Sequence, residues 1–410
     1  MDFFFLSGTS LWNIIAFWFS ISVALGVIIS GLFALAYQKF WYEKIYRPTF
    51  DPDYHPTCAI IVPCKGLLDE LETNISAYLN MEYGDYKVYF AVEHEDDPAV
   101  QVINRVINGK PNAELVVAGL STTCAQKNWN MLHAIERAGD VEVYVFADAD
   151  INPQTAWLKE LILPLSVEKN AATTGFSWMY TNKGTLGEYN HLFFNNFLYV
   201  IFCAASFIGN VGLWGGSMAI RRRDFEKMEV GKRWRQTAVD DLSLAEIIMK
   251  NGKRSVVVPT CITQTGDGHV MLKNSVLWIE RQMMFLKMYH THLWVLAMPL
   301  IIAVMAILAL FPVAVVTSLF STKTFIQLGG GASLAFIIAD VVASATYYFM
   351  GKTQKFSRFM IMEPILRFMH LFSLARTMFT NTITWSGVKY RLKVSTGEVV
   401  EVVRPPLPQQ

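Results

Sequence analysis

The chain has 410 residues, of which 53% are hydrophobic and only 17% charged, with a formal net charge of +1 and a mean hydropathy of +0.30. A charged share below the ordinary quarter or so excludes a wholly water-soluble chain and places part of it in lipid, and the near-zero net charge excludes a nucleic-acid binder, which needs a basic face. The five cysteines, at 58, 64, 124, 203 and 261, form no Cys-x-x-Cys pair and no zinc spacing, and read as reduced apolar residues facing a cytosolic compartment.

Residues 11–37 are apolar and uncharged, a run long enough to cross a hydrocarbon core of roughly 30 Å. Asp2 precedes the run and Lys39, Lys44 and Arg47 come after it, so the reading is a retained membrane helix rather than a cleaved leader. By the positive-inside rule residue 39 onward is cytoplasmic. Four regions result: 1–50 with the first span and its basic flank, a cytosolic domain over 51–290, a membrane hairpin over 291–352, and 353–410 with an interfacial helix and a tail.

The cytosolic region alternates strands and helices. Short buried strands are expected at 58–63, 87–92, 114–118 and 143–147, with helices at 69–80, 99–108 and 128–138 between them. Such alternation implies an α/β domain with a mostly parallel sheet and ligands at the carboxyl ends of the strands. Polar clusters fall at those ends: Pro63-Cys-Lys65-Gly66, Glu93-His-Glu-Asp96-Asp97-Pro98, Ser121 to Gln126 with Lys127, and Asp148-Ala-Asp150. A nucleotide needs this kind of set: acids for hydroxyls, cations for phosphates, and paired carboxylates for a metal. Asp148 and Asp150 project from one face at a strand end and, as hard oxygen donors, suit Mg²⁺ or Mn²⁺. Any one cluster equally describes a polar turn; four on one rim point to a site. Lys127 and Asn130, just inside a helix amino terminus, are placed for anionic groups.

Segment 192–214 is apolar but holds Asn195, Asn196, Ser206 and Asn210, and is expected to be buried or interfacial, because a span there would separate the acids on its two sides. Gly215 and Gly216, beside Trp214, permit close backbone approach to a ligand or simply a tight turn. Asp240 and Asp241 open an amphipathic helix, as caps or, for one of them, as a general base. Two further spans are expected at 293–320 and 325–350, the second containing Asp340, and an amphipathic surface helix at 359–385. Residues 405–410 read as a flexible tail.

Taken together, Val116-Val-Ala-Gly-Leu-Ser-Thr-Thr-Cys-Ala-Gln-Lys127, Trp214-Gly-Gly216, Asp240-Asp-Leu-Ser-Leu-Ala245 and Ser386-Gly-Val-Lys-Tyr390 resemble the membrane-bound family 2 glycosyltransferases and their ceramide glucosyltransferase relatives in family 21, the plant-type branch above all. The resemblance implies a GT-A fold that binds a UDP-sugar and inverts the anomeric carbon. It places Glu93 with Asp96 or Asp97 beside the nucleotide, Asp148 and Asp150 on the metal and diphosphate, and Asp241 as the base, next to Asp240. Pro63, Lys65, Lys127, Gly215 and Gly216 complete the donor site. One departure stands out: the wider families carry Gln or Arg, two residues, then Arg-Trp, whereas this chain reads Trp278-Ile-Glu-Arg-Gln-Met-Met-Phe-Leu-Lys287. Arg281 and Gln282 match the start, the Arg-Trp is missing, and Arg281 is the candidate cation for the pyrophosphate.

The expected activity is transfer of a sugar, glucose first, from a UDP-sugar to the hydroxyl of a membrane lipid such as ceramide. Alternatives are transfer to a sterol or diacylglycerol, a processive polysaccharide synthase, and a non-catalytic membrane scaffold. The expected setting is a multi-pass membrane protein with a cytoplasmic catalytic domain, in Golgi or endoplasmic reticulum membrane in a eukaryote or plasma membrane in a bacterium.

Overall fold

The computed structural model describes residues 11–181, 183–209, 212–267, 270–321 and 356–405, together with 334, 338 and 341. At its centre lies a seven-stranded sheet. Strands β1 (Cys58–Pro63), β2 (Tyr86–Val92), β3 (Ala113–Val117) and β4 (Val143–Ala147) are the four expected ones, within a residue at each end. β1 lies between β2 and β4, and β3 flanks β2, all of them parallel. β5 (Asn170–Thr181), β6 (Ser217–Arg221) and β7 (Arg254–Asp267) complete the order β3-β2-β1-β4-β6-β5-β7. β6 runs antiparallel to both its neighbours, and β5 pairs with β7 in parallel. The result is the mostly parallel α/β sheet that the GT-A resemblance implied. Strands β1 and β4 are almost unbroken apolar runs, because both faces of the sheet are covered: Ile60, Val62 and Val145 pack on one side, Ile61, Tyr144 and Phe146 on the other.

The helices are α1 (Leu11–Ala36), α2 (Leu71–Ala77), α3 (Pro98–Ile107), α4 (Gln126–Ala138), α5 (Trp157–Ile162), α6 (Leu186–Ala205), α7 (Arg222–Lys227), α8 (Val230–Trp234), α9 (Asp240–Lys250), α10 (Leu272–Tyr289), α11 (Thr291–Ser318) and α12 (Phe356–Thr377). α3 shows why such a segment becomes helical: Pro98 sits in the first turn, where its missing N–H costs nothing, and the Asp97 carboxylate accepts the Ala99 N–H at 2.9 Å. Past α1 the chain is fastened to the sheet. Tyr37 Oη donates to the Val257 carbonyl at 2.8 Å, and the rings of Phe33, Tyr37 and Trp41 gather on Phe207 at 5.1, 5.8 and 5.1 Å.

Among the described residues no helix is long and apolar enough to cross a membrane. Two of the three expected spans fall on α1 and α11, whose side chains are described only in part: in α1 at 18, 21, 22 and 25–36, and in α11 without a break only over 291–299. The third, 325–350, including Asp340, lies outside the described residues except for 334, 338 and 341.

Segment 192–214, expected to be buried or interfacial, is in its first part buried. Its first part belongs to α6, which buries Leu192, Asn195, Asn196, Tyr199 and Cys203 and leaves Phe197 and Ile201 exposed. Its asparagines are held from within, Asn195 Nδ2 donating to the Ser177 carbonyl at 2.6 Å and Asn196 Nδ2 to the Met179 carbonyl at 3.2 Å. One expectation is corrected: segment 359–385 is not a single helix. α12 stops at Thr377, where the Lys287 ammonium donates to the carbonyls of Thr377 and Thr380 at 2.7 and 2.8 Å and satisfies groups that a helix end leaves open.

Beyond α12 the chain forms a second, antiparallel sheet of β8 (Thr382–Trp385), β9 (Val388–Leu392) and β10 (Val399–Val403), in the order β10-β9-β8. Ser386 and Gly387, at φ +47° and +81°, form the two-residue turn between β8 and β9, a left-handed geometry that matches the strand twist. Ile383, Val388, Tyr390 and Leu392 bury against Ala238, Val239, Met284, Phe285 and Met288, so this sheet is packed onto α10 and the approach to α9.

Candidate active site

A cavity of about 630 Å³ opens where the carboxyl ends of β1 and β4, the Trp214–Gly216 turn, the start of α9, one face of α10 and the β8–β9 turn converge. Its lining includes Pro63, Lys65, Lys127, Asp148, Asp150, Gly215, Gly216, Asp240, Asp241, Arg281 and Gln282. Eleven positions expected from sequence thus meet in one space, although the first and last are more than two hundred residues apart in the chain.

The step at the end of β4 is braced through its backbone. Tyr78 Oη donates to the Asp148 carbonyl at 2.7 Å, Asn74 Nδ2 to the Ala149 carbonyl at 3.3 Å, and Asp148 N–H to the Gly216 carbonyl at 3.1 Å. The side chains are therefore aimed by a fixed main chain. Lys127, in the first turn of α4, places its ammonium 2.8 Å from Asp148 Oδ1 and 3.4 Å from Asp240 Oδ2, and donates to the Gly215 carbonyl at 3.1 Å. Burial alone would depress its pKa; Asp148 and Asp240 outweigh that and hold it well above the ordinary lysine range.

Asp240 and Asp241 are adjacent and differently placed. Asp240 lines the cavity but is only 1% exposed, and it is tied to Lys127 from beneath Gly215, which makes it a buried counter-charge to the lysine. Asp241 accepts the Gly215 N–H on Oδ2 at 2.8 Å and the Leu242 N–H on Oδ1 at 2.7 Å. Burial, and then the negative Asp240 next to it, push its carboxyl up to about 7, against Lys127 and the two N–H groups. Gly215 is required by this arrangement. A Cβ there would lie 2.5 Å from Asp240 Oδ2 and 3.0 Å from Lys127 Nζ. A Cβ on Gly216 would strike the Trp214 ring at 2.3 Å.

The acidic cluster after β2 is divided by the fold. Glu93 does not line the cavity; it pairs with Lys65 at 2.8 Å and with Arg404 at 3.5 Å, and so holds a lining lysine from behind. Asp97 caps α3 and accepts the Gly66 N–H at 2.8 Å, which orders the loop after β1. Asp96 stands at the surface, its side chain 75% exposed, beside His94. Neither Asp96 nor Asp97 is brought to the cavity wall.

Other lining residues were given no place in the donor site by the sequence reading. Trp385, Ser386 and Tyr390 come from the second sheet, and Tyr390 Oη accepts the Gln126 N–H at 3.2 Å. Arg404, just past β10, donates to the Ser121 carbonyl at 3.0 Å and to Gln126 Oε1. Ser-Gly between alternating Thr-Ile-Thr-Trp and Val-Lys-Tyr-Arg-Leu is a hairpin signal that could have revealed this sheet. The other side of the cavity is apolar: the Phe176 ring lies 5.6 Å from Trp214 and 5.3 Å from Phe202, with Leu198 and Leu213 alongside.

No group of three or more His, Cys, Asp or Glu side chains gathers to hold a metal ion among the described residues. Asp148 and Asp150 nevertheless offer two hard carboxylates at one strand end, and Asp148 already holds one cation, the Lys127 ammonium. Two carboxylates fit Mg²⁺ or Mn²⁺ as part of a shell that ligand oxygens and water complete.

The arrangement is similar to known proteins at several levels. Ceramide glucosyltransferase 1 of Caenorhabditis elegans is 20% identical over 245 residues, which cover 58% of this chain and 52% of that protein, so the match spans about half the length of the curated relative. Among solved structures, a mannosyltransferase from Pyrobaculum calidifontis in complex with GDP-Man and Mn²⁺ aligns with a TM-score of 0.49 at 16% identity, over 87% of this chain and 98% of that one. GalNAc-T7 with UDP, GalNAc and Mn²⁺ aligns with a TM-score of 0.39 at 11% identity, over 57% and 51%. The Glycosyl transferase family 21 profile matches residues 26–398. The chain belongs to glycosyl transferase family 21.

Proposed function

We infer that the chain moves glucose from UDP-glucose to the hydroxyl of a membrane lipid of the ceramide type, with inversion at the anomeric carbon, and that it does so at a membrane surface. One observation carries this reading: a single cavity joins the Lys127, Asp148 and Asp240 charge cluster, the Asp241 carboxylate, and the wall of Phe176, Leu198, Phe202, Leu213 and Trp214. The first suits a nucleotide diphosphate, the second a hydroxyl, the third a hydrocarbon chain. The relative named as a ceramide glucosyltransferase supports the same sugar and acceptor.

In this reading Asp241 takes the proton from the acceptor hydroxyl. The freed oxygen bonds to the anomeric carbon on the face opposite the diphosphate, the bond from that carbon to the diphosphate oxygen breaks, and UDP leaves. A carboxyl near neutral pKa is suited to that task at physiological pH. Gly215 aims it, by donating to its Oδ2, and Asp240 keeps the Lys127 ammonium beside the leaving group. A divalent cation held by Asp148 and Asp150 would supply further positive charge to the departing diphosphate. Glu93 acts on the donor through Lys65, which it holds at the rim.

A lipid acceptor requires the cavity to sit at the bilayer. The apolar runs 11–37, 293–320 and 325–350 are long enough to anchor it there, and exposed Leu25, Ile29, Leu32 and Phe33 on α1 are in keeping with a lipid-facing surface. The catalytic domain is then cytoplasmic. The test is incubation of detergent-solubilised protein with a panel of UDP-sugars and lipid acceptors, products being identified by mass spectrometry. Glucosylated ceramide is expected. A product on a sterol or diacylglycerol alone, or only donor hydrolysis, would overturn the acceptor assignment.

A further inference from the structure

Three lysine or arginine side chains line the cavity among the described residues, and two of them are already paired: Lys65 with Glu93, and Lys127 with Asp148 and Asp240. Arg281 differs. It projects from α10 into the cavity, its Nε is buried without a hydrogen-bond partner, and it makes no ion pair with the described carboxylates. Its guanidinium lies over the Trp385 ring, whose centroid is 5.1 Å from the guanidinium carbon. Trp385 is in turn set by its own packing. It ends β8 at the Ser386–Gly387 turn, and its ring stands 6.1 Å from that of Phe285, on the same helix as Arg281.

An arginine taken largely out of water without an acid beside it is costly in a folded chain, unless a ligand brings the acid. Aromatic stacking is compatible with that role. It holds the plane of the guanidinium through the ring's electron-rich face while leaving the N–H groups free to donate, which a carboxylate partner would not do. Burial lowers the Arg281 pKa to about 10, with Asp148 pulling it up, so the group stays charged at neutral pH.

We propose that Trp385, contributed by the carboxyl-terminal sheet, is a positioning residue that stacks on Arg281 and presents its N–H groups to the diphosphate of the donor. The inference rests on the sugar-nucleotide reading of the cavity. It gives the second sheet a part in the donor site: α10 lacks the Arg-Trp pair expected at 284–285, carrying Met284 and Phe285 instead, and the cation and aromatic meet across the fold from positions 281 and 385.

The experiment compares binding of UDP and of uridine, by titration calorimetry in Mg²⁺, to the full-length wild type and to Trp385→Ala, Trp385→Leu, Trp385→Phe, Arg281→Ala and the Trp385→Ala/Arg281→Ala double variant. Leucine preserves apolar contact with Phe285 but offers no ring face; phenylalanine restores the face. Trp385→Leu and Trp385→Ala are expected to weaken UDP about tenfold while uridine is unaffected, with Trp385→Phe recovering most of the loss. The double variant is expected to bind UDP no more weakly than Arg281→Ala alone, because Trp385 acts through the arginine. UDP binding that is indifferent to Trp385, equal losses for leucine and phenylalanine, or additive losses in the double variant would each overturn the proposal while leaving the donor assignment intact. Failure of the wild type to bind UDP would overturn the donor assignment and this proposal with it.

Discussion

Replacing Asp241 by asparagine separates what the carboxylate does for catalysis from what it costs the fold. Its carboxyl, at 3.8 in an unperturbed chain, lies near 7 in the folded protein because burial and Asp240 disfavour the charge. A shift of about three pKa units at about 1.4 kcal/mol each corresponds to roughly 4 kcal/mol, and solvent reaching the carboxylate through the cavity reduces this to about 2–4 kcal/mol. The sign comes from the direction of the shift. A folded pKa above the unfolded one favours the folded state most below about pH 4, and the benefit is lost as pH rises through about 7. Asparagine cannot ionise. It also forfeits one acceptor, since only one of the two N–H groups of Gly215 and Leu242 can still be met, but that cost of about 1–3 kcal/mol is the same at every pH.

The stability of Asp241→Asn relative to wild type is therefore expected to rise by about 2–4 kcal/mol between pH 4 and pH 8. Transfer is expected to fall by about 10²–10⁴-fold while UDP binding persists. Thermal unfolding of the purified protein across that range, paired with a transfer assay at each pH, measures both. In the wild type the transfer rate should rise with a limb near pH 7. A stability difference that stays flat with pH would refute the burial argument, and near-normal transfer by the variant would refute the base assignment.

The other expectations are simpler. Asp148→Asn and Asp150→Asn should each lower transfer by at least about 100-fold and weaken UDP binding, and EDTA should stop transfer until Mg²⁺ or Mn²⁺ is restored; undiminished activity in EDTA would remove the metal role from both. Gly215→Ala should leave a folded protein with transfer reduced on the order of 100-fold, since its Cβ would come within 2.5 Å of Asp240 Oδ2; kinetics close to wild type would mean that the turn yields without moving the acids. Removing residues 381–410 should strip the cover from Met284, Phe285 and Met288, giving aggregation on size-exclusion chromatography and loss of UDP binding. A monodisperse truncated protein that binds UDP would show the second sheet to be dispensable.

Much of the site was legible because its parts are local. A buried strand announces itself by an apolar run and its end by a polar residue; Asp148-Ala-Asp150 lies just after such a boundary, Trp214-Gly-Gly216 just before one, and Lys127 at the start of a helix. Asp96 and Asp97 look as suitable as Glu93 in one dimension. The helix that Asp97 caps turns one acid into a structural group, and the loop leaves the other in solvent. Asp240 and Asp241 were equally ambiguous, since nothing in two adjacent letters tells which carboxylate faces the cavity and which is locked to a lysine.

By itself, then, the amino-acid order determined the α/β alternation, the apolar segments and the residue types at each strand end, all of which depend on neighbours within a few positions. Only the tertiary structure decided that residues 382–403 form a sheet closing the cavity, that Trp385 stacks on Arg281, and that Arg404 returns to Glu93. Those contacts join residues about a hundred to three hundred positions apart. Their partners are selected by which surfaces the packed core leaves uncovered, a property of the assembled fold that no local pattern records.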